Sequence, residues 1–414
     1  QLQAIISLRN GIEAYDRRQG WRGPITNKLT NLDWQKKIKN LKIDPTLNWE
    51  IAEILEINKF EIIFRTLKGL KSNITLQNLK WAVPGKKTIS NRFNIGDIIF
   101  IKNEKNVWFL KQYPKVNGGI VVIDPYSGDV KALVGGFNFK SSEFNRVTQA
   151  KRQPGSAFKP IVYAAALENG YSPNSIILDA PFVESQGVGL KDWKPENYGK
   201  KFYGPTTLRK GIEYSRNLMT VRIAKTLGLS KILELSNKLE VYEEIPELLS
   251  VSLGAAETSL LNLTSAYASF VNGGIKINPN LISRIQDRRG KTIFKLENKK
   301  CKGCDKFLND STDLPSFEYE NERVLSEETA FQITSILAGA VERGTGKKLR
   351  DLKVPLAGKT GTTNKNYDAW FIGFSSNLVI GVYVGFDNPK TLGKYETGSK
   401  AALPIFKDFI KRSL

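Results

Sequence analysis

The sequence predicts an α+β chain: an antiparallel sheet flanked by helices, preceded by a small all-β, OB-like domain. Three observations carry this expectation. Residues 31–112 alternate apolar and polar positions; residues 118–136 and 368–388 read as strand pairs lying far apart in the chain; and the segments between them have helical periodicity. With 414 residues there is room for two or three domains, each able to bury its own core.

The elements follow in order. Residues 1–30, through "AYDRRQGWRGPITNK", are basic and turn-rich and read as a connector leaving another module. Within 31–112, "WEIAEILEINKFEIIFRTL" alternates on either side of Asn58-Lys59, and "GDIIFIKNEKNVWFLKQ" repeats the hairpin pattern around a polar turn at 103–106. About five short strands in this length suit a small barrel. The third domain spans 113–414. It opens with "GGIVVIDPYSGDVKALVGG", a strand, an Asp-Pro turn and a second strand. Helices are expected over 156–169, 215–228 and 326–344; the last has Ser326 as N-cap, acidic residues in its first turn and Gly344 at its stop. "DAWFIGFSSNLVIGVYVGFDN" then gives two strands with a turn near Ser375–Asn377. The chain closes on a helix with Pro404 in its first turn.

Composition narrows the chemistry. The hydrophobic share of 41% and charged share of 25% are those of an ordinary folded protein. The 62 basic against 41 acidic residues give a net charge of +21, which points to an anionic partner or to lysines written at solvated positions. There is no histidine, so every mechanism that uses imidazole as base is excluded, as are zinc sites built on it. The two cysteines, Cys301 and Cys304, form one C-x-x-C in a polar loop, too few ligands for a structural zinc. A local disulfide formed in an oxidising compartment is favoured there over free thiols. No run of about 18 apolar residues could span a bilayer. The start, without Met or a signal-peptide pattern, reads as that of a fragment that has lost an N-terminal anchor.

The chemistry gathers on three motifs. "RQPGSAFK" holds the only S-x-x-K of the chain and sets Ser156 at a helix start, where outward-pointing N–H groups favour an oxyanion. Lys159, three positions on, lies on the same face and can reach the serine hydroxyl. A lysine serves as base at neutral pH only when burial or neighbouring cations lower its pKa. "YSRNLM" supplies Ser215 and Asn217 at another helix start, and "LAGKTGTTN" supplies Lys359, Thr360, Gly361 and Thr362 before a strand. S-x-N alone is weak, since Ser375 and Asn377 match it too. S-x-x-K, S-x-N and K-T-G in that order across one domain form a joint signal, the set found in serine β-lactamases and penicillin-binding proteins.

The resemblance extends beyond the motifs. "NRVTQAKRQPGSAFKP", "WKPENYGKKFYGPTTLRKGIEYSRN", "SLGAAETSLLNLTSAYASFVNGG", "VERGTG" and "GKTGTTNKNYDAWFIGF" resemble the transpeptidase segments of class A, bifunctional penicillin-binding proteins. "GIEAYDRRQGWRGP" resembles the connector after their glycosyltransferase domain. The likeness is most specific over 118–390 and weakest over 31–112.

The resemblance implies a serine β-lactamase/penicillin-binding transpeptidase fold lacking the membrane helix and glycosyltransferase domain. It implies a D,D-transpeptidase that cross-links peptidoglycan stem peptides and is acylated by β-lactams. Ser156 would be the nucleophile and Lys159 its base. Ser215 would relay a proton to the leaving D-Ala, while Asn217 would hold the peptide and Lys159. Lys359 would lower the Lys159 pKa and attract the terminal carboxylate, which Thr360 and Thr362 would bind beside Gly361. The N–H groups of Ser156 and Thr362 would form the oxyanion hole. No metal or cofactor is implied. The setting would be the bacterial cell envelope, at the outer face of the cytoplasmic membrane.

Other readings stay open at this point. A β-lactamase or D,D-carboxypeptidase would send the same acyl-enzyme to water, and Glu213 and Glu257 lie in regions relevant to that role. A non-catalytic β-lactam sensor would stop at acylation. Residues 31–112 read as a docking domain for a cell-envelope protein, or a spacer, in preference to a nucleic-acid grip. Trp193 and Tyr198, with Tyr203, either line the substrate groove or pack the domain; core packing is preferred for Trp370.

Overall fold

The structure is a computed structural model that describes residues 1–413 except 42, 186–188, 190, 297–298, 303–315 and 320–321. It divides into two compact units: residues 8–117 with 136–144, and residues 1–7, 118–135 and 145–414.

Helix α1 (Leu2–Arg18) contributes its first residues to one unit and the rest to the other. This stretch, read above as turn-rich, is 17 residues of helix. Its buried stripe is Ala4, Leu8, Ile12 and Tyr15, spaced four, four and three residues apart. That burial outweighs the helix-weakening Asn10-Gly11 step, which at a solvated position would favour a turn.

The smaller unit is built on a six-stranded sheet. Its strands are β1 (Thr26–Asn27), β2 (Glu50–Ile57), β3 (Glu61–Thr66), β4 (Lys71–Thr75), β5 (Asp97–Glu104) and β6 (Val107–Lys111), in the order β1-β5-β2-β3-β4 with β6 also on β5. Short helices α2 (Trp34–Lys39) and α3 (Leu76–Leu79) lie between them. The β2–β3 turn forms because the Asn58 carboxamide oxygen accepts from the N–H groups of Phe60 (2.9 Å) and Glu61 (3.0 Å). Lys105 and Asn106 both take positive φ, the turn that matches the twist of β5–β6. Alternation sends Ala52, Ile54, Ile62 and Phe64 into one core with Trp21, Phe93 and Trp108.

The larger unit centres on a five-stranded sheet. Its hairpins are β7 (Asn117–Ile123) with β8 (Val130–Val134), and β15 (Ala357–Thr362), β16 (Asp368–Phe374) and β17 (Val379–Gly385), in the order β15-β16-β17-β7-β8. The N- and C-terminal hairpins thus meet, as expected, and β15 is an edge strand. The Ser375–Asn377 segment is the β16–β17 turn, where Ser375 Oγ donates to Asn377 Oδ1 at 2.9 Å. Between the hairpins come α4 (Lys159–Glu168), the pair β9 (Ile176–Asp179) and β10 (Gly204–Thr207), then α5 (Leu208–Glu213), α6 (Asn217–Leu227), α7 (Leu229–Lys238) and α8 (Leu260–Val271). Two further pairs follow, β11 (Arg284–Gln286) with β12 (Thr292–Lys295) and β13 (Lys299–Lys302) with β14 (Ser316–Tyr319). Then come α9 (Glu327–Glu342), α10 (Gly398–Ala401) and α11 (Leu403–Ser413). Ser326 caps α9 as expected, accepting from Thr329 N. Cys301 lies on β13, and Cys304 lies outside the described residues.

Helix α4 positions the site. Every residue from Lys159 to Leu167 is buried, so the helix runs through the core instead of along its surface. Ala164, Ala165 and Ala166 keep it slim where α6, α7 and α9 pack. No helix among the described residues is long and apolar enough to cross a membrane.

Candidate active site

Ser156 sits in a single 3-10 turn, Gly155–Ala157, and α4 starts only at Lys159. The helix expected from 156 begins three residues later, and Gly155, just before the serine, takes φ +53, so the chain enters the serine turn from a left-handed conformation. A Cβ on Gly155 would stand 2.5 Å from the Thr362 carbonyl oxygen, and one on Gly361 would stand 2.4 Å from that of Pro154. The glycines of P-G-S and K-T-G therefore let two backbones touch, which sets the serine turn directly against β15. This is the structural use of both motifs.

Lys159 and Lys359 are both fully buried. Lys159 Nζ donates to the Ser215 carbonyl at 2.8 Å and to Asn217 Oδ1 at 2.6 Å, and lies 3.4 Å from Ser215 Oγ. Lys359 Nζ donates to Ser215 Oγ at 2.8 Å and to the Thr360 carbonyl at 3.0 Å. Lys159 of S-x-x-K, both residues of S-x-N and Lys359 of K-T-G thus form one hydrogen-bonded cluster, with the Ser215 hydroxyl between the two amines, and Ser156 borders the same cavity. Among the described residues neither amine makes an ion pair.

Burial pushes Lys159 well below the ordinary lysine pKa, and the positive charges of Lys359 and Arg216 push it the same way, against the opposing pull of Asp179. Burial lowers Lys359 to about 7. Two cations this close cannot share the site cheaply, and the charge of Lys359 adds to burial in pushing the proton off Lys159. A neutral amine has two N–H groups, and the two short bonds of Lys159 use both. Its lone pair is left to accept a proton.

Ser215 has φ +58, unusual for a residue other than glycine. Arg216, with its guanidinium 3.3 Å from the centre of the Tyr203 ring, anchors the same loop. From below, Asn197 Oδ1 accepts from the N–H of Asn217 at 2.8 Å and of Leu218 at 3.3 Å. It thereby caps α6 from another segment. Asn197 Nδ2 donates in turn to Asp179 Oδ1 at 2.7 Å. Asn217 Nδ2 is held by the Glu196 carbonyl at 2.6 Å.

The cluster opens into a cavity of about 610 Å³, lined by Ser156, Trp193, Tyr198, Ser215, Asn217 and Thr362 among others. Thr360 lines it too, and its hydroxyl donates to Thr345 Oγ1 at 3.0 Å. Thr362 Oγ1 accepts from Gly398 N at 3.0 Å. Trp193 and Tyr198 are therefore on the cavity wall. Tyr203 is engaged by Arg216, and Trp370 is buried against Tyr383. Glu213 is buried in an ion pair with Arg343 at 2.7 Å, while Glu257 is exposed and does not line the cavity. Asp179, Asn197 and Thr345 were not singled out from the sequence; the last two lie inside the "WKPENYG" and "VERGTG" segments, and Asp179 carried no motif.

The profile described as "Penicillin binding protein transpeptidase domain" matches residues 118–411, and "Penicillin-binding protein OB-like domain" matches residues 21–116. Penicillin-binding protein 1A of Rickettsia felis is 43% identical over 419 residues, covering 100% of this chain and 52% of its own length. That of Pseudomonas aeruginosa is 34% identical, covering 98% of this chain and 54% of its own length. The chain thus spans about half the length of these curated relatives. The crystal structure of penicillin-binding protein 1A from Haemophilus influenzae superposes with a TM-score of 0.87 at 33% identity, covering 100% of this chain and 65% of that one. The PonA1 protein of Mycobacterium tuberculosis in complex with penicillin V gives 0.59 at 23% identity, over 73% of this chain and 79% of that one, a likeness of fold.

Proposed function

Since the chain belongs to the penicillin-binding protein transpeptidase family, we propose that it is a serine D,D-transpeptidase acting on peptidoglycan stem peptides and acylated by β-lactams. The observation that carries this reading is the buried amine of Lys159, hydrogen-bonded to Ser215 and Asn217 with the Lys359 amine on the same Ser215 hydroxyl, one turn of chain from a serine turn that two glycines set against β15.

The proposed steps are these. The Ser156 hydroxyl loses its proton to the Lys159 lone pair as its oxygen attacks the carbonyl carbon of the penultimate D-Ala. The N–H groups of Ser156 and Thr362 receive the oxyanion, each donor worth roughly 3–4 kcal/mol. The peptide C–N bond then breaks. Its nitrogen takes a proton through the Ser215 hydroxyl, which bridges both lysines, and D-Ala departs. Lys359, Thr360 and Thr362 hold the terminal carboxylate, whose charge favours the protonated form of Lys359. An amine of a second stem peptide attacks the ester, losing its proton to the base, and Ser156 is restored. Trp193 and Tyr198 border the path of the stem peptide. The activity is placed in the bacterial envelope, at the outer face of the cytoplasmic membrane. The OB-like unit is assigned to docking an envelope protein.

The β-lactamase reading loses support because Glu213 is tied to Arg343 and Glu257 lies off the cavity; Glu196, the carboxylate that does line it among the described residues, pairs with Lys200 at 3.6 Å. Labelling with a fluorescent penicillin over time tests the proposal. A lasting adduct in the wild type, absent from Ser156→Ala, is expected, along with cross-linked product from stem-peptide substrates. A rapidly lost adduct makes the protein a hydrolase; a lasting adduct without cross-linking makes it a sensor.

A further inference from the structure

Asp179 is a buried acid outside every motif of the site. It ends β9, is fully buried, and has one carboxylate oxygen, Oδ2, with no hydrogen-bond partner. A buried carboxylate that leaves an oxygen unsatisfied is costly, and it calls for a compensating role. The other oxygen shows what that role is. Oδ1 receives Asn197 Nδ2 at 2.7 Å, and the same NH₂ group also donates to the Lys201 carbonyl at 2.9 Å. With its NH₂ committed to two acceptors, the Asn197 amide can face only one way. Its oxygen must point at the first N–H groups of α6. Those belong to Asn217, whose own Oδ1 receives Lys159, and to Leu218. The route runs from acid to amide, to helix N-terminus, to amide, to amine, and it steadies a loop in which Ser215 is held at positive φ.

We propose that Asp179 is a positioning residue for the acylation reaction: it fixes the orientation of the Asn197 amide and, through the N-terminus of α6, sets Ser215 and Asn217 around Lys159. This rests on the transpeptidase reading above. The negative charge of Asp179 has a second consequence, because it opposes the depression of the Lys159 pKa. The charged groups acting on Lys159 are Lys359 on β15, Arg216 in the loop and Asp179 on β9; Tyr163 on α4, raised to a pKa well above neutrality by burial, stays uncharged.

The two effects separate by substitution. Asp179→Asn keeps an oxygen that can accept from Asn197 but removes the charge. Asp179→Ala removes both. The measurement is the second-order rate of acylation by a fluorescent penicillin, on the full chain, between pH 5 and 9, with a thermal melt for each variant.

Asp179→Ala is expected to acylate about tenfold slower or worse at the optimum. Asp179→Asn should recover much of that loss, with the acidic limb of its profile displaced to lower pH, since Lys159 loses a charge that favoured its protonated form. The proposal is overturned if folded Asp179→Ala matches the wild type at every pH. It is also overturned if Asp179→Asn is slowed as much as Asp179→Ala with an unmoved limb, the mark of a residue that only packs. Should Asp179→Ala not fold, Asp179→Asn decides through its limb alone. A wild type that never labels would sink the transpeptidase reading, and this inference with it; that failure is distinguished from the others by the wild-type lane.

Discussion

Each unit of the molecule buries lysine, and the two do so in opposite ways. In the OB-like unit, Lys111 at the end of β6 is 5% exposed and pairs with Glu13 at 2.7 Å. Burial lowers its pKa, and the Glu13 carboxylate works against that shift. In the transpeptidase unit, Lys159 and Lys359 are fully buried among hydroxyl, carbonyl and amide acceptors, and no carboxylate pairs with either among the described residues. The first arrangement keeps a cation charged and serves the fold. The second pushes protons off, which in a structural setting would only cost stability. Burial beside another cation is common to both, since Arg17 also depresses Lys111, and the difference is the carboxylate partner that Lys111 has and the candidate site lysines lack.

Substitutions should break this comparison in a graded way. The largest effect is expected at Ser156, where Ser156→Ala should lower penicillin acylation by roughly 10⁴-fold or more with the thermal melt unchanged, because the proposed covalent step runs through its hydroxyl. Next comes Lys159→Met, expected to slow acylation by about 10²–10⁴-fold, the usual contribution of a general base, in a stopped-flow or gel-based time course. Lys359→Met should cost less, on the order of 10²-fold. It should also move the acidic limb of the rate profile to higher pH, because Lys159 then loses the neighbouring charge that holds its proton off.

In the other unit the readout changes from rate to stability. Lys111→Met takes the buried partner from Glu13, leaving it Arg17 at 3.3 Å, and should lower unfolding free energy by about 2 kcal/mol in a denaturant titration, with acylation per folded molecule unaffected. The smallest effect belongs to the double variant Glu13→Leu with Lys111→Met, which should return to within about 1 kcal/mol of wild type. If Lys111→Met slowed acylation of folded protein, the division between structural and functional lysines would fail.

Much of the site could be read from the sequence because its chemistry is carried by short-range spacing. Ser156 and Lys159 are three residues apart, as are Lys359 and Thr362, and the glycines beside them mark backbone contacts that tolerate no Cβ. The β2–β3 pair was legible for the same reason: alternation in "WEIAEILEINKFEIIFRTL" on either side of Asn58-Lys59 is a local signal. What stayed hidden depends on partners distant in the chain. The Asn197–Asp179 bond crosses 18 residues and the Asn197–Asn217 bond 20, with no periodicity to announce them. Helix α1 was missed because its buried stripe of Ala4, Leu8, Ile12 and Tyr15 is interleaved with basic residues and glycine. That composition resembles a solvated connector until the burial is seen.

The central claim is that Lys159 gives up its proton well below the ordinary lysine range because its surroundings make it do so. The most direct test is the pH dependence of the wild-type acylation rate with a penicillin. The account predicts an acidic limb that ends well short of the ordinary lysine range, with a plateau and no further rise toward pH 10. A rate that keeps climbing tenfold per pH unit up to about pH 10, where an ordinary lysine titrates, would contradict it.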